Sequence, residues 1–257
     1  MRAAWAQGAV LMGFFEIVGN AGFWIAAAVA LLAGFMRGFV GVGSGMLMAP
    51  VFAILFGPLQ TVGMVIMLDA LVTAQLLPSV HRLIEWRVII PMAASAALFM
   101  PVGTWILVNI DARIMVRAIA FIVLVFVLLL MTGGRYRGPK RLGITLGVGG
   151  ISGVLIAATS MGNPPVIVYF LSGPDTAATN RANFTGYFAA SLATLLVMMT
   201  ARGLIGGPTV LRTALLLPVF AGAAWLGAKY FYKSTDRRYR QVALGLLLCV
   251  AVYGLLR

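Results

Sequence analysis

The feature of this chain that most restricts its fold is an apolar segment that occurs twice, with an offset of 115 residues between Gly34 and Gly149. Each copy carries two glycines four positions apart, a hydroxyl residue, a methionine and a Pro-Val pair, in the order Gly34, Gly38, Ser44, Met46, Pro50-Val51 and Gly149, Gly153, Thr159, Met161, Pro165-Val166. A Gly-Pro pair follows each copy, at 57–58 and 173–174. Apolar runs interrupted at corresponding places in two halves predict a duplicated membrane protein with a binding site where the broken helices meet.

The composition places the chain among membrane proteins. Hydrophobic residues make up 62% of its 257 residues and charged residues only 10%, against roughly 25% charged in an ordinary soluble domain. The net charge of +13 is concentrated in short connections between apolar runs. Membrane orientation explains that pattern better than nucleic acid does, so we expect the bilayer as a partner and no nucleic acid.

The apolar runs fall into two halves of similar layout. The first half contains 22–40, a short run at 44–56, and longer ones at 58–80, 87–108 and 112–132. The second contains 142–158, a short run at 164–172, and longer ones at 178–201, 209–232 and 238–256. A spanning helix needs ~20 residues at 1.5 Å per residue, so the short runs are predicted to be half-helices, each paired with the broken helix before it.

These runs predict an all-α polytopic membrane protein of two inverted-topology repeats, each a broken helix and half-helix pair plus three transmembrane helices. The predicted divisions are a short N-terminal helix within 1–20, repeat 1 at 21–132, a cytoplasmic linker at 133–141 and repeat 2 at 142–257. We expect the stretch 5–18 to be retained, because it lacks a small-residue cleavage site and contains Glu16. Whether it spans, and whether the protein is a monomer or a homodimer, stays open.

The basic residues predict the orientation. One side of the alternating crossings holds twelve of them: Arg82, Arg87, Arg135, Arg137, Lys140, Arg141, Arg181, Lys229, Lys233, Arg237, Arg238 and Arg240. The other holds six: Arg2, Arg113, Arg117, Arg202, Arg212 and Arg257. The richer side is expected to be cytoplasmic, which places both termini outside a bacterial-type inner membrane. Each half makes an odd number of crossings, so the two halves are expected to be inverted.

Arg37 is the strongest candidate for a substrate contact, because an ionisable group at mid-bilayer costs at least ~2.5 kcal/mol and is a functional suspect. It precedes the break at 41–45, where glycines free backbone amides and a half-helix starts near Ser44. Gly43, Ser44 and Gly45 are therefore included as binding residues. Guanidinium presents a planar fork of donors suited to an oxyanion. Snorkelling to an interface and pairing with an acid are the structural alternatives for Arg37.

The second break predicts a second donor-rich pocket, since hydroxyls, an amide and a half-helix N-terminus follow one another there. Its candidates are Thr159, Ser160, Gly162 and Asn163. Arg181, Asn183 and Tyr187 lie near the start of the next helix and are further candidates, with an ordinary cytoplasmic flank as the alternative for Arg181. The glycines near the breaks are candidate hinges, namely Gly34, Gly38, Gly41, Gly149 and Gly153.

Asp69 is the only acid deep in an apolar run, about twelve residues into 58–80. It is expected either to balance Arg37 as a structural partner or to carry a proton. His81 is the only histidine and no cysteine cluster accompanies it, so we expect neither a metal site nor a cofactor.

The two breaks resemble signatures of the TauE/SafE family of sulfite and organosulfonate exporters. The similar stretches are Gly34 to Gly45 with Pro50, and Ser152-Gly153 through Thr159 to Leu171, followed by Gly173-Pro174 and Arg181-Ala182-Asn183. The resemblance covers roughly residues 22–256. Ser44 and Asn163 depart from it, because members commonly have glycine there. The resemblance implies movement of small sulfur oxyanions or sulfonates across the inner membrane, often outward.

Together these lines predict a secondary transporter, an exporter of sulfite or a short organosulfonate, in which one repeat rocks against the other. A passive anion channel and an uptake permease for the same anions are the alternatives. A membrane-embedded enzyme would need a nucleophile or acid–base set, for which Asp69 and a single histidine are a poor start. We therefore expect no enzymatic activity.

Overall fold

The computed structural model describes residues 19–131, 141–171 and 175–231, and every regular element within these ranges is a helix. A short 3-10 helix, His81–Leu83, lies between the third and fourth α-helices. The α-helices are α1 Ala21–Val40, α2 Ser44–Phe56, α3 Pro58–Val80, α4 Trp86–Asn109, α5 Ala112–Met131, α6 Leu142–Thr159, α7 Asn163–Leu171, α8 Ala177–Ala201 and α9 Gly207–Phe231. The predicted all-α class is confirmed. The N-terminal helix, the linker up to residue 140 and the run 238–256 lie outside the described residues.

Six segments of the described chain are long and apolar enough to cross a membrane: Ala21–Val40, Pro58–Leu83, Trp86–Asn109, Leu142–Thr159, Ala177–Ala201 and Gly207–Phe231. Large apolar side chains on their outer faces are exposed, including Trp24, Leu98, Trp105 and Val197. Helices that satisfy their own backbone and present apolar side chains outward are suited to lipid. The chain is a multi-pass membrane protein.

The first break has a local cause in its glycines. Helix α1 begins at Asn20, whose side chain accepts a hydrogen bond from the backbone of Gly22 at 2.8 Å. It ends at Gly41, where φ is +86°, and Gly43 before α2 has φ of +101°. Glycine adopts such left-handed angles without the steric cost that a Cβ brings. Two of them within three residues end one helix and start the next.

Both short helices fold back along the helix before them. Position 22, at the start of α1, lies beside the Leu55 side chain near the end of α2. Thr145, at the start of α6, hydrogen-bonds through its hydroxyl to the Tyr169 hydroxyl near the end of α7, at 2.6 Å. Thirteen and nine helical residues reach only about 20 and 14 Å, short of a ~30 Å hydrocarbon core. Neither short helix is therefore long enough to cross the hydrocarbon core by itself, and each forms a hairpin with the longer helix before it, α1/α2 and α6/α7.

The hairpin of the first half packs against a helix of the second half. A Cβ at Gly34 or Gly38 of α1 would fall onto the carbonyl oxygen of Phe220 or Ala224 in α9. Only glycine permits this approach of backbone to backbone, as in small-residue motifs of membrane helices. The contacts advance in the same direction along both helices, so α1 and α9 run parallel.

The hairpin of the second half makes the reciprocal contact. A Cβ at Gly149 or Gly153 of α6 would fall onto the carbonyl oxygen of Met92 or Ala96 in α4. These contacts also advance together, so α4 and α6 run parallel. Four of the five predicted hinge glycines thus lie at mid-helix packing contacts, and only Gly41 lies in a break. A hinge role for them stays a prediction.

Candidate functional site

Arg37 lies in the last turn of α1 and is 1% exposed. Its Nη1 donates to the carbonyl oxygen of Gly41 at 2.6 Å, and its Nη2 donates to the Thr73 hydroxyl on α3. The guanidinium carbon stands 4.7 Å from the centre of the Phe188 ring on α8, a cation–π contact. Three helices thus hold a positive charge at the first hairpin tip. Snorkelling to an interface is excluded for this buried side chain.

Asp69 on α3 supplies a negative charge beside Arg37. Its Oδ1 lies 3.6 Å from Nε of Arg37. The Ser44 hydroxyl, on the first residue of α2, donates to both carboxylate oxygens, at 2.6 and 2.8 Å. Asp69 is only 5% exposed. The structure therefore brings together Arg37, Ser44 and Asp69. Asp69 lies beside Arg37, as the predicted role of a structural partner requires, and its role as a proton carrier stays a prediction.

Arg181 reaches the same tip from the second half of the chain. It is 2% exposed on α8, and its Nη2 donates to the carbonyl oxygen of Gly38 at 2.9 Å. Its guanidinium carbon lies 4.6 Å from the centre of the Phe231 ring. The end of α1 has carbonyls without intrahelical donors and carries the negative end of the helix dipole, which attracts cations. Arg181 is thus buried at the first break and is not a solvated flank.

The second hairpin tip is built around Ser160, which follows α6 with φ of +63°. Its side chain is 4% exposed, and among the described residues its hydroxyl has no hydrogen-bond partner. The neighbouring Thr159 hydroxyl donates to the carbonyl of Leu155 at 2.7 Å and accepts from the amide of Met161 at 3.3 Å. A non-glycine residue at positive φ costs of order 1–3 kcal/mol and commonly marks a functional site.

Tyr187 reaches the second tip through Ser152. The tyrosine hydroxyl donates to the Ser152 hydroxyl at 2.8 Å, and Ser152 in turn donates to the carbonyl oxygen of Gly162. A Cβ at Gly162 would collide with Ile156 and with the Ser152 carbonyl. Ser152 occupies the position in the second copy that Arg37 has in the first. The first copy thus has a charged side chain at this position, and the second has a hydroxyl that hydrogen-bonds to the backbone of its own hairpin tip.

The two tips touch. A Cβ added to Gly45, in the first turn of α2, would fall onto the carbonyl oxygen of Ser160. The glycine is required by this approach of one hairpin to the other. The predicted residues of both copies, from Arg37 and Ser44 to Thr159 and Ser160, therefore belong to one buried region.

Asn183 has a different neighbour. Its Oδ1 accepts from the backbone amide of Glu85 at 2.8 Å, and its Nδ2 donates to the Glu85 carboxylate at 2.8 Å. The structure thus ties this side chain to the segment between α3 and α4. The side chain of Asn163, at the start of α7, lies outside the described residues, as do Gly173 and Pro174.

Two residues that contact Arg37, namely Thr73 and Phe188, are not identified in the sequence analysis. Thr73 carries a signal that was available, because it lies four residues after Asp69 and so on the same helix face. Its hydroxyl also donates to the backbone carbonyl of Asp69. Phe188 carries no such signal, since an aromatic residue beside Tyr187 in an apolar helix has nothing to distinguish it. Within the described ranges no three acidic, histidine or cysteine side chains gather where they could hold a metal ion.

No curated protein and no solved structure matches this chain. A family model does match, over residues 26–254, and it describes the sulfite exporter TauE/SafE. That match extends across both hairpins and the helices between them. The chain belongs to the TauE/SafE family of sulfite exporters, a family of membrane transporters.

Proposed function

We propose that this protein is a secondary transporter that exports a small sulfur-containing anion, sulfite or a short organosulfonate, across the inner membrane. The observation that carries the proposal is the buried guanidinium of Arg37 at the point where two hairpin tips meet. Burying a charge costs several kcal/mol unless partners compensate it. Binding of an anion in each transport cycle would explain why a charged side chain is buried here.

The side chains of the two tips suit a sulfonate group. Its three oxygens accept hydrogen bonds, and guanidinium offers planar donors for such groups. The Ser160 hydroxyl is a buried donor that forms no hydrogen bond with any residue that the structure describes. We assign substrate contacts to Arg37 and Ser160 first. Further proposed contacts are Gly43, Ser44, Gly45, Thr159, Gly162, Asn163, Arg181, Asn183 and Tyr187.

The proposal includes inverted repeats, and contacts between helix ends support them. The segment after α3 contacts the first turns of α8 through Glu85 and Asn183. The start of α3 contacts the start of α9, where Arg212 donates to the Gln60 side chain. Connections 81–85 and 202–206 then lie on opposite sides of the membrane. With the basic residues counted above, the first is cytoplasmic and the second external.

The packing of the hairpins favours a different movement from the rocking of one repeat against the other. Each hairpin packs closely against a helix of the other half, α1 against α9 and α6 against α4. Rocking of residues 21–132 as one unit against 142–257 would break both glycine contacts at once. We propose instead that α1/α2 moves with α9 while α6/α7 moves with α4. Alternating access would then open the region between the tips to each side in turn.

Flux measurements in proteoliposomes test this function. Labelled sulfite, sulfoacetate and sulfate are offered to the wild-type protein with and without an imposed pH gradient. We expect flux of sulfite or sulfoacetate that a gradient accelerates, since Asp69 is a candidate proton carrier beside the site. Flux that ignores the gradient would favour the passive channel, and no anion flux in either direction would contradict the proposal.

A further inference from the structure

We propose that Asp69 is a resident anion of the transport site: its carboxylate occupies part of the place of the substrate at Arg37 and thereby sets the charge of the anion that the site accepts. This inference rests on the proposed function and concerns the same site. It gives Asp69 a role beyond balancing a charge or carrying a proton.

The first argument is the set of groups around the carboxylate. The Ser44 hydroxyl, on the first residue of α2, shares its one hydrogen between the two carboxylate oxygens of Asp69, which also faces Nε of Arg37. A guanidinium, a hydroxyl and the N-terminus of a half-helix are the groups that would hold a bound oxyanion. The Asp69 carboxylate already uses the hydroxyl and faces the guanidinium. A substrate that uses Arg37 and Ser44 must therefore displace Asp69 or share its donors.

The second argument is that the ion pair is loose. Strong arginine–carboxylate pairs have two parallel hydrogen bonds of about 2.7–2.9 Å. Here Nε of Arg37 lies 3.6 Å from Oδ1 of Asp69, and within the described part of the chain Nε makes no hydrogen bond. Nη1 and Nη2 are bonded to Gly41 and Thr73 instead. Asp69 supplies negative charge without the best arginine geometry, so an anion with better geometry can compete for the guanidinium.

The consequence is a preference for the charge of the ligand. A bound anion near Arg37 also lies near the Asp69 carboxylate, and repulsion between like charges is strong in a buried site. Each additional negative charge on the ligand increases that repulsion. Between two ligands of the same shape, the site should favour a monoanion such as methanesulfonate over a dianion such as sulfate. Removing the carboxylate should move the preference toward dianions, whatever other charges surround the site.

Methanesulfonate and sulfate provide the probe, because both are tetrahedral around sulfur. Methanesulfonate has a methyl group in place of one oxygen atom and carries one negative charge fewer. Their dissociation constants are measured by calorimetry on purified wild-type protein and on Asp69→Asn. We expect the wild type to prefer methanesulfonate. In Asp69→Asn the ratio of affinities should shift toward sulfate by about tenfold or more, as removal of one nearby charge predicts.

Asp111→Asn is the matched control. Asp111 is exposed between α4 and α5, and its side chain accepts from the amide of Arg113, a bond that asparagine can also form. The Asp111→Asn variant loses the same charge at a position away from the hairpin tips, so its ratio of methanesulfonate to sulfate affinity should equal that of the wild type. A ratio in Asp69→Asn within about twofold of the wild type would overturn the inference while wild-type binding upheld the proposed function. A wild type that binds neither anion would overturn both.

A second measurement needs no variant at Asp69. Infrared difference spectra are recorded on the wild type as methanesulfonate is added. The chain has only six acidic residues, so few carboxylates contribute. We expect a shift of a carboxylate stretching band as Asp69 yields Arg37 and Ser44, and the same shift in Asp111→Asn. A saturated protein with unchanged carboxylate bands would overturn the inference.

Discussion

Arg37 is held by groups from three helices, and each group limits what can replace it. The carbonyl of Gly41, the Thr73 hydroxyl and the Phe188 ring each meet a different part of the guanidinium. Lysine carries the same charge but lacks the planar fork. At this scale the sequence points to Arg37 and Asp69, because charges in apolar runs are conspicuous. It does not reveal Phe188, because one aromatic residue in a membrane helix resembles any other.

Ser160 offers a prediction in which stability and function separate. Replacement by glycine removes the cost of positive φ and also removes the free hydroxyl. We expect Ser160→Gly to raise the free energy of unfolding by about 1 kcal/mol, or to leave it unchanged where unfolded-state entropy offsets the gain. Its affinity for methanesulfonate should fall about tenfold, as loss of a buried hydrogen bond to a charged ligand predicts.

Denaturant unfolding in detergent and calorimetry measure the two quantities on the same preparation. Ser160→Ala is the comparison variant, because it keeps the strain of positive φ and removes the hydroxyl. Both Ser160 variants should lose affinity. Only the glycine variant relieves the strain of positive φ, and Ser160→Ala should unfold with about the free energy of the wild type, because no hydrogen bond to a described residue is lost. Undiminished affinity in both would remove Ser160 from the binding site.

The hairpins are the elements that position the site, and their existence is readable from the sequence. The predicted short runs 44–56 and 164–172 correspond to α2 and α7, whose observed bounds are Ser44–Phe56 and Asn163–Leu171. What cannot be read is the partner of each hairpin. The glycine pairs indicate that some backbone approaches closely, but not that the approaching helix belongs to the other half. That choice depends on contacts more than a hundred residues apart in sequence, such as that of Gly38 with Ala224.

Two glycines of α6 provide a matched pair at the scale of elements. Gly153 faces the carbonyl of Ala96, while nothing lies within 4 Å of a Cβ at Gly147. We expect Gly153→Ala to lower the free energy of unfolding by about 1–3 kcal/mol, because α4 and α6 must separate. Gly147→Ala should leave it unchanged or raise it by up to about 1 kcal/mol through better helix propensity. Equal effects of the two substitutions on unfolding would contradict the close packing of α4 against α6.

At the scale of the whole molecule, each hairpin packs against a helix of the other half, and we propose that the two halves are inverted. Composition and the charge distribution predict a polytopic membrane protein, and the helices bear that out. The proposed inversion rests on the odd number of crossings predicted for each half and on which helix ends contact each other. No local pattern encodes it, since each crossing looks alike from either side.

Cysteine accessibility tests the orientation. Cys249, the only cysteine, is first replaced by alanine. Single cysteines are then introduced at the exposed positions Arg82, Asp111 and Arg202. An impermeant maleimide added to intact cells should label Asp111→Cys and Arg202→Cys, and should label Arg82→Cys only after the membrane is opened. Labelling of all three from one side would contradict the inverted arrangement.

The central claim is that an anion crosses the membrane by binding Arg37 where the hairpin tips meet. The most direct test is sulfite flux into proteoliposomes that contain equal amounts of wild type, Arg37→Ala or Arg202→Ala, the last removing an exposed arginine at the end of α8. We predict that the sulfite flux through Arg37→Ala is about a hundredfold lower than that of the wild type, as expected when hydrogen bonds from a buried charged group to the anion are lost. The flux through Arg202→Ala should equal that of the wild type. Sulfite flux in folded Arg37→Ala equal to that of the wild type would contradict the account.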